Sequence, residues 1–368
     1  MPPTFLPTSQ QELWLKAALL PGEGALAAWR RAAATLPPER VDNASALLLP
    51  LVYWNLARLG VRGEEADTLR QRYLLTWREN QRIYHCAAPL WRALEETGIQ
   101  AVVLKGLALI ARFYRDAGLR PMADVDVLVP ASDVDRASDV ARRLGWHPRY
   151  PLTPAFRRVK HAAPFDHPEG VTCDLHWRTF EEAGAAGADD EFRAAAECAP
   201  FQGTRFRVLS PTDQLLHVCG HAGRWAPVPT IRWVADAVLI LRGSSIDWPR
   251  LLDHTARRRF ILRMRQMLGY LREALGVPIP EAVEADLRRR RVSMLERLEY
   301  HVRTREHPRL GEMPTYVFNC FRGEPRPLLA FPGYLRDAWG LESLAQVPRH
   351  ALDLALRRAR AAPADRGR

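Results

Sequence analysis

Residues 124–129 read Asp124-Val-Asp126-Val-Leu-Val129, an apolar run in which two carboxylates alternate with valines. The run fits a buried strand, and because successive side chains on a strand point to opposite faces, Asp124 and Asp126 share one face. Any fold built on this strand has to place two like charges side by side at the edge of an apolar sheet. Magnesium prefers hard oxygen ligands and commonly sits between protein carboxylates and substrate phosphates, which makes the pair a candidate divalent-metal site. An isolated Asp-x-Asp is equally compatible with solvated acids or acids paired to arginine, so the neighbouring segments have to decide.

Upstream, Ala101-Val-Val-Leu104 is a short apolar run that ends in Lys105-Gly106, and residues Leu107–Tyr114 read as a helix. Gly106 therefore falls at a strand-to-helix turn, where backbone N–H groups favour phosphate and glycine permits its close approach. The chain has three lysines, Lys16, Lys105 and Lys160, against about fifty arginines, so a lysine at this turn suggests a role that arginine fills less well. Downstream, Val171-Thr-Cys-Asp174-Leu-His176-Trp177 alternates again. It can bring a third acid beside the first two, with His176 on the same strand face as Asp174. His176 is either a helper for an acceptor hydroxyl or a packing residue beside Trp177. Among the arginines, Arg112, Arg115 and Arg120 could reach a triphosphate, and Arg120 ranks first because it lies just before the acidic strand.

Taken together, Lys105-Gly106, Arg120 followed by Asp124-Val-Asp126, Asp174-Leu-His176-Trp177, Leu215-Leu-His217-Val-Cys-Gly-His221 and Ile231-Arg-Trp-Val-Ala-Asp236 resemble the uncharacterised nucleotidyltransferase family of the DNA polymerase β superfamily. The resemblance covers roughly residues 80–245. It implies an α+β fold, a small mixed sheet flanked by helical regions, with Gly106 at the phosphate turn and Asp124, Asp126 and Asp174 as metal-binding acids. It also implies an NTP as substrate, two Mg2+ ions, and an acceptor hydroxyl on a small molecule, peptide or protein. Lys105, Gly106 and Arg120 are then the nucleotide-binding candidates, and the helix carrying His217 and His221 borders the nucleotide or acceptor pocket. In the wider superfamily the turn reads Gly-Ser or Gly-Gly; here it reads Gly106-Leu107, which removes a hydroxyl. That departure supports a second reading, a nucleotide-binding or scaffold protein that keeps the fold without the chemistry.

The rest of the chain divides into three zones: a helical region over 1–95, a catalytic core over 96–210 and a second helical region with a basic tail over 211–368. Apolar residues at three- and four-residue spacing mark a long helix from Glu64 to about Glu96. Within the core, the pattern predicts strands before Lys105 and over 125–129, a helix near 131–144, a hairpin from Arg157 to Trp177 turning at His167–Gly170, and a strand over 204–209. Ser210-Pro-Thr-Asp213 reads as a helix start. Gly243–Ser245 and Gly323–Pro327 are linker candidates. Arg232 and Asp236, one helical turn apart, read as a local ion pair. His217 and His221 share a helix face and could bind zinc, but no third ligand with the usual spacing is evident.

The net charge of +11 raises the question of nucleic acid. Much of the excess, however, lies in Arg257–Arg259, Arg288–Arg291 and Arg357–Arg360, without interleaved aromatics, which fits solvated helix faces or an anionic partner better than a strand-stacking platform. Five scattered cysteines with no Cys-x2-Cys pair suit reduced thiols in a cytoplasm. No apolar run reaches the length of a membrane span, and the N-terminus lacks the pattern of a signal peptide.

Overall fold

Seven strands form one mixed sheet in the order β3-β4-β5-β2-β1-β7-β6. They are β1 (Val102–Leu104), β2 (Asp124–Leu128), β3 (His147–Pro148), β4 (Ala162–Asp166), β5 (Thr172–His176), β6 (Glu197–Phe201) and β7 (Thr204–Val208). The computed structural model describes residues 3–182, 187, 189–223, 231–305, 313–321 and 330–361. The expected linker at Gly323–Pro327 lies outside the described residues.

At the centre of the sheet, β1 and β2 run antiparallel while β2 and β5 run parallel. Alternation along these strands sends their side chains into two separate cores. Val103, Val125, Val127, Cys173 and Leu175 face one core with the helix Glu64–Glu96 and the helix Val134–Arg143. Val102, Leu104 and Leu128 face the other, which they share with the first helices of the chain and with the helices Pro211–Ala222, Arg232–Gly243 and Ile261–Leu275. The sheet is thus covered on both sides, which is why its central strands read as nearly continuous apolar runs. The two acids of β2 lie on the second face with Leu128 of the same strand, and Asp126 pairs with Leu104 of β1.

The helix Glu64–Glu96 follows the sequence pattern, and the β4–β5 hairpin turns at His167–Gly170 as expected, but its first strand begins at Ala162 and not at Arg157, because Pro154–Val159 forms a helix capped by Thr153. Two further expectations are corrected. The helix after Lys105-Gly106 is α-helical only over Lys105–Leu109 and continues as a π-helical turn over Ile110–Tyr114. Arg115 ends it in the left-handed region, with its N–H reaching back to the Ile110 carbonyl at 2.7 Å. The second correction is β6, which periodicity missed because Glu197-Cys-Ala-Pro-Phe201 lacks a clean alternation of apolar and polar residues. Its partner turn does carry a signal: Gln202 and Gly203 both adopt positive φ, as a two-residue hairpin connection of the primed type requires.

Between the π-helical turn and β2, residues 116–123 carry no regular structure, yet one side chain bonds three of their backbone groups. Asn80, buried on the long helix, donates through Nδ2 to the carbonyls of Ala117 at 2.5 Å and Arg120 at 2.8 Å, and its Oδ1 accepts from Met122 N–H at 3.1 Å. Those are three backbone groups that no strand or helix satisfies. Replacing Asn80 with Ala is therefore expected to destabilise the protein by about 2–4 kcal/mol, since a buried polar group left without a partner costs about 1–3 kcal/mol. Urea denaturation of the Asn80→Ala variant checks this, and a loss within about 0.5 kcal/mol of zero would contradict it.

Candidate active site

The parallel pairing of β2 with β5 sets Asp126 directly opposite Asp174, with Asp124 one step along β2 on the same face. One ligand atom from each of Asp126, Asp174 and His176 lies within 4.8 Å of the other two. Three acids and an imidazole thus meet at one end of the central strands, against a wall of buried aliphatic side chains.

Asp126 is the anchor of the group. It is 2% exposed, and its Oδ1 accepts from Lys105 Nζ at 2.6 Å and contacts His176 Nε2 at 2.9 Å. Burial works to raise its pKa, but the Lys105 ammonium and the His176 contact outweigh burial and hold Asp126 well below the usual carboxylate range. Asp124 behaves in the opposite way. Burial, then the charge of Asp126 and a smaller push from Asp174, move it up to about 6, with Lys105 only partly opposing. Asp174 is also raised, by burial and by Asp126, against His176, Lys105 and Arg149. The site therefore has one firmly ionised carboxylate and two neighbours that resist ionising beside it, which is an arrangement short of positive charge.

Lys105 reaches Asp126 from an unusual backbone. It is the first residue of its helix and sits at φ +43°, in the left-handed region that non-glycine residues rarely occupy. Gly106 has ordinary backbone angles, and its lack of a side chain serves packing instead: a Cβ there would stand 2.8 Å from Met122 Sδ and 3.2 Å from Arg120. Leu107 is buried in the core on the far face of the sheet from the carboxylates, so the missing hydroxyl of the turn is a position this chain spends on packing.

The uncharacterised nucleotidyltransferase family matches residues 44–276, more than half of the chain. The chain belongs to that family. Solved structures similar to this nucleotidyltransferase include the lincosamide antibiotic adenylyltransferase LnuA with lincomycin bound, at 14% identity over 33% of this chain and 77% of that one, with a TM-score of 0.26. ANT(2")-Ia in complex with adenylyl-2"-tobramycin matches at 16% identity over 47% of this chain and 94% of that one, with a TM-score of 0.34. These likenesses are too distant to carry an argument about substrate. No curated protein matches the nucleotidyltransferase sequence.

In this nucleotidyltransferase, Arg120 lies at the mouth of β2 but is turned away from solvent. It is 6% exposed, and it donates through Nε and NH2 to the two carboxylate oxygens of Asp236, each at 2.8 Å. Tyr114 adds a third bond to Asp236 Oδ1 at 2.7 Å. The expected local pair between Arg232 and Asp236 is therefore corrected: Asp236 is taken by Arg120 from a distant segment. Arg232 is half-buried and donates instead to the Pro121 carbonyl at 2.6 Å. Burial and the nearby Arg120 lower the Arg232 guanidinium to about 10, with Asp236 and Asp124 among the groups that oppose the shift. Sequence spacing hid both roles, because an i, i+4 pair is self-explanatory until the fold supplies a better partner. His217 is buried and His221 half-buried, with their rings 6.1 Å apart and His217 edge-on to Phe180. Among the described residues the two join no group of three possible metal ligands, so the zinc reading of this pair gains no support.

Asp236→Ala should strip the buried Arg120 guanidinium of its partner. A loss of about 3–5 kcal/mol in unfolding free energy is expected, and equilibrium denaturation measures it. A change under about 1 kcal/mol would show that water or another acid replaces Asp236 without cost.

Proposed function

We propose that this nucleotidyltransferase is divalent-metal dependent and moves a nucleoside monophosphate from an NTP to a hydroxyl group of a small molecule, peptide or protein. The observation that carries the reading is the register of β2 on β5, which stacks Asp126 on Asp174 with Asp124 alongside. The donor set fits the group it implies. Three carboxylates suit the oxygen preference of Mg2+, and the raised pKa values of Asp124 and Asp174 are what crowded acids show when a cation would relieve them. Asp124, Asp126 and Asp174 would hold the magnesium, two ions by the resemblance, and bound there it supplies charge stabilisation to the entering and leaving oxygens.

The chain's own residues account for the remaining requirements. Asp174, with its raised affinity for protons, takes the proton of the acceptor hydroxyl. The acceptor oxygen bonds to the α-phosphorus as the bond to the bridging oxygen breaks, and pyrophosphate leaves with that electron pair. Lys105 uses one ammonium N–H on Asp126 and has two further donors for phosphate oxygens. Arg232 adds a guanidinium near Asp124 that is short of anionic partners, and the backbone at Gly106 borders the same turn. Arg120 contributes by fixing the segment before β2 through Asp236 rather than by touching the nucleotide. His176 fixes the orientation of Asp126.

The decisive assay supplies each NTP with Mg2+ and a set of candidate hydroxyl acceptors, and follows pyrophosphate release. Asp126 is a poor first target for mutation because Lys105 and His176 both depend on it. Asp174→Asn is cleaner, and it is expected to lower kcat by about a hundredfold or more with the fold retained by circular dichroism. Near wild-type turnover in that variant would sink the assignment. Calorimetry separates the alternative of a nucleotide-binding protein without transfer, which would bind NTP with metal yet release no pyrophosphate.

The raised pKa of Asp124 gives a pH signature with a definite sign. At pH 5 its carboxyl group is mostly protonated and has to lose that proton before it can ligate a cation. Mn2+ affinity should therefore rise with pH through about 6 and level off above 7, with protons released on binding at the acid end. Titration calorimetry in buffers of different ionisation enthalpy measures both quantities, and an affinity that stays flat from pH 5 to 7 would contradict the proposal.

A further inference from the structure

A second group of metal-ligand side chains lies away from the carboxylates, where the turn between β4 and β5 meets the long helix Glu64–Glu96. Cys86 comes from that helix, and His167 and Glu169 come from the turn. One ligand atom of each lies within 4.8 Å of the other two. The thiol is buried, the imidazole half-buried and the carboxylate exposed, so the group opens from the core to the surface through Glu169.

The scaffold around these side chains is fixed. Gly170 N–H reaches the His167 carbonyl at 2.9 Å, and His167 N–H reaches the Val171 carbonyl at 2.9 Å, closing the turn tightly. Arg82, one helical turn before Cys86, donates to the Glu169 carbonyl at 2.5 Å and ties the turn to the helix. The Trp146 ring lies 4.8 Å from the His167 ring, which confines the imidazole to one side of the turn. A ring nitrogen of His167 accepts from Glu169 N–H at a long 3.3 Å.

We propose that Cys86, His167 and Glu169 form a binding site for a zinc-type divalent cation. Sulfur, imidazole nitrogen and carboxylate oxygen are the ligands zinc takes, and three protein ligands with an open fourth position are common in its sites. Zinc-bound ligand atoms stand about 3.5 Å apart, given bond lengths of about 2.0–2.3 Å, so a spacing within 4.8 Å is close to what a bound ion would set. Magnesium would not choose a thiol, so this site and the three-aspartate site differ in the ion they select. In the metal-free state burial pushes the Cys86 thiol up to about 11, helped by Glu169 and opposed by Arg82. A bound cation takes the place of the thiol proton, which passes to solvent. The ion would pin the turn that leads directly into β5, the strand carrying Asp174 and His176, to the helix that covers the sheet. This inference does not depend on the transfer reaction.

Cobalt(II) is the probe, because a thiolate ligand gives it a near-ultraviolet charge-transfer band that carboxylate and imidazole ligands do not. The full-length protein, stripped with chelator, is titrated with Co2+ alongside Cys86→Ser, His167→Ala and Asp174→Asn. The expected result is a saturable sulfur band at about one Co2+ per chain that is lost in Cys86→Ser, weakened in His167→Ala, retained in Asp174→Asn and abolished by added Zn2+. Zn2+ should also raise the Tm of the wild-type chain by more than that of Cys86→Ser. Absence of the band at saturating Co2+, or its persistence in Cys86→Ser, would overturn the assignment. A band that is unaltered in His167→Ala would do the same, since it would report only a lone thiol.

Discussion

The contact between Lys105 and Asp126 is the interaction on which the centre of the sheet depends. Without a cation, β2 and β5 could not hold Asp126 against Asp174 in an apolar wall, because the desolvation of one carboxylate is already costly and the repulsion of a second adds to it. The ammonium on Asp126 resolves the conflict for one acid and leaves it for the other two. The backbone bears a cost for this, since Lys105 occupies a left-handed conformation to deliver its side chain, and such residues persist where the surrounding structure forces them. A β1 strand of only three residues, running parallel to β7 and antiparallel to β2, holds that residue at the end of its ladder.

Two faces of one sheet do different work here. On the side of Val125 and Val127 the packing against the central strands is mainly aliphatic and aromatic, and Leu107 belongs to it. On the side of Asp124 and Asp126 the aliphatic residues stop at the carboxylates, and the C-terminal helices bring in a second set of charges through Asp236 and Arg232. That division explains the turn sequence. A hydroxyl at position 107 would face hydrophobic side chains and give up the apolar contacts that the buried leucine makes there. Any demand for phosphate contacts then falls on side chains rather than on the turn itself.

The parts of the fold that were legible in the sequence are those set by periodicity over short range. The alternation around Asp124 and Asp174 located β2 and β5, the three- and four-residue spacing gave the long helix with its ends, and Ser210 before Pro211 marked the next helix, where the Ser210 hydroxyl does accept from Asp213 N–H. What escaped depends on partners distant in sequence. Asn80 is an ordinary polar helix residue until the loop it clamps is folded against it. Asp236 looked committed to Arg232 because local spacing offers that pair, yet Arg120 brings a two-pronged geometry from the other end of the core. The π-helical turn at Ile110–Tyr114 left no compositional trace, since it differs from an α-helix by one residue of hydrogen-bond reach.

The positive charge of the chain also reads differently once its partners are known. Arg257 is held by Glu191 and Asp253, Arg258 by Asp189, Arg290 by Asp286 and Arg288 by Glu284, so part of the charge in the first two runs is met by the protein's own acids. Most of these pairs are exposed and contribute little stability each. Arg232 is different because the acid beside it in sequence is taken and its surroundings already hold Arg120. Burial pushes down the guanidinium groups of Arg232, Arg242, Arg258 and Arg263, and Arg232 is the one of the four that has Asp124 of the acidic site beside it, where an incoming anion would stabilise it. It stands on the same side of the sheet as the three aspartates. Cations need anions and anions need cations in this corner, and a metal-bound polyphosphate satisfies both demands at once.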